Sequence, residues 1–215
     1  MPRISVSSLD RYPVPLASVF AVAAAIFMIT VWAPIQQRSL SDGTRVAQPA
    51  ATVSRPTWLE ASFTTTDGST SSLSASNGHV RIVTMMYAHC PGICPLNIAT
   101  LGRIESQLSS SGRDRLRVVA LTLDPERDSL ANLGEFQRTH GIESARWTVA
   151  RPSISSVAQL AAGLGVTYRV LPDGTVDHQS AFALLDTSGR IVTRTTNTQN
   201  PDPQFVAAVR RALQD

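Results

Sequence analysis

The feature that most constrains this chain is a cysteine-containing segment between a hydrophobic run and a helical pattern. Residues 87–95 read Y-A-H-C-P-G-I-C-P and contain both cysteines of the chain, Cys90 and Cys94. A largely hydrophobic run fills positions 80–87, and apolar residues follow at helical spacing, at positions 96, 98, 101, 104 and 108. The pattern predicts that the two cysteines lie where a buried strand turns into a helix.

The start of a helix favours an ionised cysteine. Its first turn has unpaired amide N–H groups and the positive end of the helix dipole, which stabilise a thiolate and lower its pKa. Pro95 suits this turn, because proline lacks the N–H that would go unpaired there. Thiolates are the nucleophiles of disulfide exchange and soft ligands of copper(I), so the segment predicts a redox or metal site. The alternative is a structural disulfide, which would close only a short loop and stabilise little.

Composition limits the class of protein. The chain has 215 residues, of which 43% are hydrophobic, enough for one domain with a core plus additional segments. The formal net charge is +3, and all 19 basic residues are arginines scattered along the sequence. No basic run is interleaved with aromatic residues, so the sequence predicts no nucleic-acid partner.

An uncharged stretch near the N-terminus predicts a membrane anchor. Residues 14–35 form 22 consecutive positions without a charge, and a bilayer-spanning helix needs about 20 apolar residues. Arg3 and Arg11 precede the stretch against a single Asp10, so the positive-inside rule assigns residues 1–13 to the cytoplasm. We expect a single-pass protein of the inner (cytoplasmic) membrane, with its C-terminal domain in the periplasm of a Gram-negative bacterium. A cleaved signal peptide is the alternative, although its apolar region is usually only about 7–15 residues long.

The rest of the chain predicts a tether and one α/β domain. Residues 36–56 are small, polar and proline-containing, as in a linker, and residues 57–215 form the domain. Strands and helices alternate before a final hairpin and helix, which predicts an α/β sandwich with a mixed sheet. The expected strands or hairpins are 58–65, 79–87, 116–123, 147–150, 166–170, 181–185 and 190–194, the helices are 96–110, 129–139, 153–162 and 202–213, and 171–179 is a loop.

The domain resembles a known family in three motifs, which occur here in the same order as in that family. Residues 87–95 resemble the Y-x-H-C-P-x-x-C-P signature of the Sco proteins (Sco/SenC/PrrC family). Residues 123–128, L-D-P-E-R-D, resemble that family's D-P-x-R-D after a strand, and residues 176–178 resemble its V-D-H before one. The likeness covers roughly residues 57–214. D-S-L replaces the usual D-T-P ending, and Met85-Met86 replaces an aromatic-glycine pair, but neither departure touches the candidate ligands.

The resemblance implies a fold, a metal and a partner. Sco proteins have a thioredoxin-like fold and a membrane anchor, and they help to assemble the binuclear copper centre of cytochrome c oxidase. Carried over to this sequence, the copper ligands are Cys90, Cys94 and His178. A subunit of cytochrome c oxidase, or another copper-accepting protein, is then the expected partner. Asp177 is expected to orient the ligands without binding the metal itself.

Two further functions use the same cysteines. A thiol–disulfide oxidoreductase would keep the cysteines of a target reduced, with Cys90 as the attacking thiolate, and a copper or redox sensor would transfer nothing. An oxidoreductase does not need His178, whereas a copper site does. Thioredoxin-type reductants usually carry C-x-x-C and a cis-proline on the opposite strand. Here the cysteine spacing is one residue longer and no proline directly precedes Ala181, so both features favour metal.

Other candidate residues near these motifs are interpreted structurally. For His89 the alternatives are an effect on the pKa of the Cys90 thiol or a role as a metal ligand, and for the 124–128 segment the alternative is a functional strand edge. The structural interpretations are a strand-end residue for His89, a helix cap for His140, an ion pair and cap for Asp124, Arg127 and Asp128, and core packing for Met85 and Met86.

Overall fold

The computed structural model describes residues 56–75 and 78–214. The predicted anchor at residues 14–35, the segment 1–13 before it and all but the last residue of the predicted tether lie outside the described residues. Within the described ranges, no helix combines the length and the apolar character that crossing a bilayer requires.

Nine strands and five α-helices follow a short 3-10 helix in the described part of the chain. In order, they are the 3-10 helix Thr57–Glu60, β1 (Ser62–Thr65), β2 (Thr70–Ser72), β3 (Val80–Met86), α1 (Ile93–Ser106), α2 (Ser110–Arg115), β4 (Leu116–Thr122), α3 (Leu130–Thr139), β5 (Trp147–Pro152), α4 (Ile154–Leu164), β6 (Tyr168–Val170), β7 (Val176–His178), β8 (Phe182–Leu185), β9 (Ile191–Thr195) and α5 (Pro203–Ala212).

Seven of these strands form one mixed sheet, in the order β2-β1-β5-β4-β3-β8-β9. Strands β3, β4 and β5 run parallel to one another, while β1, β2, β8 and β9 pair antiparallel with their neighbours. All seven residues of β3 are buried, as expected for a central strand covered on both faces. Strands β6 and β7 form a separate two-stranded sheet. The predicted mixed α/β architecture of the domain is therefore confirmed.

Most of the predicted elements are confirmed, with boundaries shifted by a few residues. Ser129 caps α3 by accepting the N–H of Asn132, and Asp202 caps α5, where Pro203 occupies the first turn. His140 ends α3, and its Nδ1 atom lies 2.8 Å from the carbonyl of Phe136. Met85 and Met86 are core residues, each 1% exposed.

Three predictions are wrong in detail. The stretch 58–65 begins as a 3-10 helix, so only its second half is strand. The helix predicted over 96–110 begins earlier, at Ile93, and ends at Ser106, and residues 110–115 form the separate helix α2. The third concerns 171–179, predicted as a loop, where residues 176–178 form β7, because they pair with β6 across a turn.

Gly163 of α4 packs against the 3-10 helix. A Cβ atom at position 163 would lie 2.4 Å from the indole ring of Trp58, a distance at which one of the two must move. A Cβ atom at Gly134 of α3 would meet no atom within 4 Å. The two helical glycines therefore offer a matched pair for testing this contact.

We expect Gly163→Ala to destabilise the domain and Gly134→Ala to stabilise it. Overpacking against Trp58 costs about 1–3 kcal/mol, which exceeds the gain in helix propensity. At Gly134 only the propensity gain of up to about 1 kcal/mol remains. Urea unfolding followed by circular dichroism measures both changes. Equal stabilisation of the two variants would show that Trp58 does not occupy this position.

Candidate metal centre

Cys90 and Cys94 lie on either side of the start of α1. Gly92 is the N-cap residue and has no side chain to cap the helix, and Cys94 is in the first turn. The backbone N–H of Cys94 instead donates to the Cys90 Sγ atom, at 3.3 Å. The sulfur therefore accepts one of the amide N–H groups that a helix start leaves unpaired. Both cysteines are buried, free thiols, so the pair has the predicted place between strand and helix.

The two thiols share one negative charge. A hydrogen bond from the Cys94 thiol, helped by His178 and by the N–H groups of Cys94 and Gly92, lowers the pKa of Cys90 to about 3 against the opposing effect of burial. The same hydrogen bond, together with burial, raises the pKa of Cys94. At neutral pH the pair therefore consists of a Cys90 thiolate that accepts a hydrogen bond from the Cys94 thiol.

Tyr87 forms one wall of the site. Burial and the negative charge of Cys90 raise the pKa of Tyr87 to about 12, so its hydroxyl stays protonated. Its ring also meets the ring of His178 edge to face, with centroids 5.9 Å apart and planes at 77°. Tyr87 thus contacts both the thiolate and the imidazole. Sequence reasoning assigned it no role, although its place directly after β3 was a signal.

Strand pairing brings His178 back to the cysteines. Strand β8 pairs antiparallel with β3, and Phe182 lies opposite Thr84 near the end of β3. Residues just before β8 therefore lie beside the segment that follows β3. His178 is the last residue of β7, opposite Tyr168 of β6, and only four positions separate it from Phe182.

The His178 side chain is partly buried, and its two ring nitrogens are buried. Neither ring nitrogen forms a well-aligned hydrogen bond with another described residue. The ring nevertheless lies near enough to Cys90 to lower the pKa of that thiol. Among residues 56–75 and 78–214, no three His, Cys, Asp or Glu side chains are already assembled at metal-binding distances. The structure brings the three predicted ligands into one neighbourhood, and their role as ligands stays a prediction.

Asp177 does not orient the histidine in the expected way. Its carboxylate pairs with Arg169, whose Nη2 lies 2.8 Å from Oδ2, and both side chains are more than half exposed. Thr167, Tyr168 and Gln179 line the same open cleft as these residues and His178. The described contacts of Asp177 thus lie on the solvent side of the hairpin.

The 124–128 segment contacts the site more extensively than an ion pair and cap would. Asp128 is fully buried and accepts from the backbone N–H of Ala88 at 2.9 Å, and its other oxygen lies 3.0 Å from Nδ1 of His89. Arg127 pairs with Asp124, as predicted, but it also donates to the carbonyl of Gly174. Sequence reasoning missed both long-range contacts, although the position at the end of a parallel strand was a signal for them.

A family model and two relatives match the chain. The model described as SCO1/SenC matches residues 54–214. The bovine mitochondrial protein SCO2 homolog is 29% identical over 134 residues, 59% of this chain and 48% of the relative. A putative copper-binding protein of Stutzerimonas stutzeri is 25% identical over 118 residues, 53% of this chain and 56% of the relative. The chain thus spans about half the length of these curated relatives.

A solved structure shares the fold. Arabidopsis thaliana ScoI, crystallised with copper bound, superposes with a TM-score of 0.60 at 20% sequence identity, over 70% of this chain and 96% of that one. This likeness confirms the predicted thioredoxin-like α/β fold of the domain. Because the family model covers about three quarters of the sequence, residues 54–214, this chain belongs to the SCO1/SenC family.

Proposed function

We propose that this protein is a membrane-anchored copper metallochaperone that binds copper(I) through Cys90, Cys94 and His178. The observation that carries the proposal concerns the partly buried His178 side chain, whose two buried ring nitrogens form no well-aligned hydrogen bond with another described residue. Leaving a buried polar group unsatisfied costs about 1–3 kcal/mol. A bond to a metal held by the neighbouring sulfurs would satisfy one of these nitrogens.

The donor set suits copper(I). Thiolate sulfur is a soft ligand that copper(I) prefers, and imidazole nitrogen also suits copper. Cys90 is already ionised, so binding requires the release of only the remaining proton of Cys94. Copper is the cargo here, and the open cleft lined by Arg169, Asp177 and His178 gives an acceptor protein access to the histidine ligand. Transfer then proceeds by exchange of ligands.

Relatives support copper as the cargo and an oxidase as its destination. A putative copper-binding protein and a copper-bound Sco structure are among the similar proteins, and the family resemblance implies assembly of the copper centre of cytochrome c oxidase. The acceptor in this proposal is a subunit of that oxidase or of a related copper enzyme. The proposal includes residues 14–35 as an anchor in the inner membrane, with the domain in the periplasm.

A second candidate function is reduction of the acceptor's cysteines. It is favoured by the low pKa of Cys90, because a thiolate beside a second thiol is the arrangement of a disulfide reductant. The Cys90 thiolate would attack a target disulfide and release one target thiolate. Cys94 would then lose its proton and displace the second target thiolate, closing the Cys90–Cys94 disulfide. Both functions require the reduced cysteine pair. Only copper binding requires His178, so replacing this residue distinguishes the two functions.

His178→Ala is expected to weaken copper(I) binding by more than the roughly 10- to 100-fold that loss of a residue supporting a ligand costs, because one of three ligands is lost. The dithiol should remain oxidisable. Anaerobic titration against a competing copper(I) chelator measures the affinity, and His79→Ala, which alters a histidine outside the site, is the control. Equal affinity of wild type and His178→Ala would contradict the metal site and favour the reductase.

The alkylation rate of Cys90 is expected to be nearly independent of pH between about 5 and 8. A thiol with an ordinary pKa near 8.5 would react roughly tenfold faster for each pH unit in this range, because its thiolate fraction rises. Cys90, with its pKa lowered to about 3, is fully ionised throughout. Iodoacetamide labelling of the reduced, metal-free protein, followed by peptide mass spectrometry, gives the rate. A tenfold rise per unit would show that Cys90 is an ordinary thiol.

The topology predicts the behaviour of reporter fusions. Alkaline phosphatase fused after Asp215 should be active, since this enzyme needs the oxidising periplasm for its disulfides. A fluorescent protein that folds only in the cytoplasm, fused at the same place, should be dark. The opposite pair of results would overturn the proposed orientation.

A further inference from the structure

The 124–128 segment contacts the two halves of the proposed site separately. Asp128 reaches the half that carries the cysteines. Its carboxylate accepts from the hydroxyl of Thr122 at 2.5 Å and from the N–H of Ala88 at 2.9 Å, and it lies 3.0 Å from Nδ1 of His89. The residues leading into Cys90 are therefore fixed to the end of β4.

Arg127 reaches the half that carries the histidine. Its Nε atom pairs with Asp124, and Nη2 donates to the carbonyl of Gly174 in the turn between β6 and β7. Gly174 has a φ of +80°, and a Cβ atom there would lie 2.5 Å from Nη1 of Arg127. The guanidinium thus lies directly against the turn, four positions before His178.

The β6–β7 hairpin depends on such attachments. It is a two-stranded sheet outside the main sheet, and an isolated hairpin is at best marginally stable in water. Its C-terminal side is held near α1, where Nδ2 of Asn97 donates to the hydroxyl of Ser180 at 3.0 Å. The turn at the opposite end is held by Arg127. These contacts set where His178 lies relative to the cysteines.

We propose that Arg127 is a positioning residue that holds the β6–β7 turn so that His178 faces the cysteine pair. The inference rests on the proposed copper site but concerns a different residue, which need not touch the metal. Arginine fits this role because Nε and Nη2 are separate donors on one rigid plane. A lysine at 127 has one compact charge, which pairs with Asp124 but does not also bridge to Gly174.

The first test needs no copper. Amide hydrogen exchange of the metal-free protein is compared for wild type and Arg127→Ala. Exchange in β6 and β7 should become about tenfold faster, the effect of losing one charge-assisted hydrogen bond, while exchange in β3 and β4 stays unchanged. Arg190→Ala is the matched control, because Arg190 pairs with Asp186 in a different turn. Unchanged hairpin exchange, or equally faster exchange in every strand, would overturn the proposal.

The second test asks whether Arg127 acts through His178. Arg127→Ala and Arg127→Lys should each weaken copper(I) binding, by no more than His178→Ala does. In a His178→Ala background, Arg127→Ala should have no further effect, because the ligand that it positions is absent. Additive losses would overturn the proposal. If wild type binds no copper(I), the proposed function fails, and the exchange experiment still decides whether Arg127 holds the hairpin.

Discussion

The site depends on the hydrogen bonds that converge on the Cys90 sulfur. Gly92 leaves the start of α1 without a side-chain cap, and the sulfur accepts the N–H of Cys94 in its place. The Cys94 thiol donates to the same atom and keeps it ionised. Hydrogen-bond donors thus hold one negative charge in a buried place. Such a thiolate is ready both for a soft metal and for an incoming disulfide, which explains why the two candidate functions share these residues.

In the proposed function, His178 favours metal over disulfide chemistry, and it comes from a distant part of the sequence. The antiparallel pairing of β8 with β3 returns the chain to the end of β3, and the hairpin before β8 carries His178 to the thiolate. Its ring nitrogens have no well-aligned partner among the described residues, a cost that disulfide exchange leaves uncompensated. The hairpin lies outside the main sheet, so in the proposed function a small movement of it would assemble or open the ligand set.

Local sequence patterns predict the centre of the fold well. They predict only in part how the cysteine pair and His178 come together. The buried run of β3, the helical spacing of α1, and the starts of α3 after Ser129 and of α5 after Asp202 are visible in the sequence, because each depends on neighbours within a few positions. Motif resemblance singled out His178, and the predicted strand 166–170 contains β6, but neither periodicity nor spacing shows the three-residue strand β7, which is too short for a period-two pattern. The bond from Arg127 to Gly174 joins positions 47 residues apart, and no local rule encodes it.

The most direct test of the central claim is X-ray absorption spectroscopy at the copper edge of the copper(I)-loaded protein. Copper(I) bound by Cys90, Cys94 and His178 should show two sulfur ligands and one nitrogen ligand, with the multiple scattering of an imidazole ring, and that ring signal should be lost in His178→Ala. A shell of sulfur alone in the wild-type protein would contradict this claim.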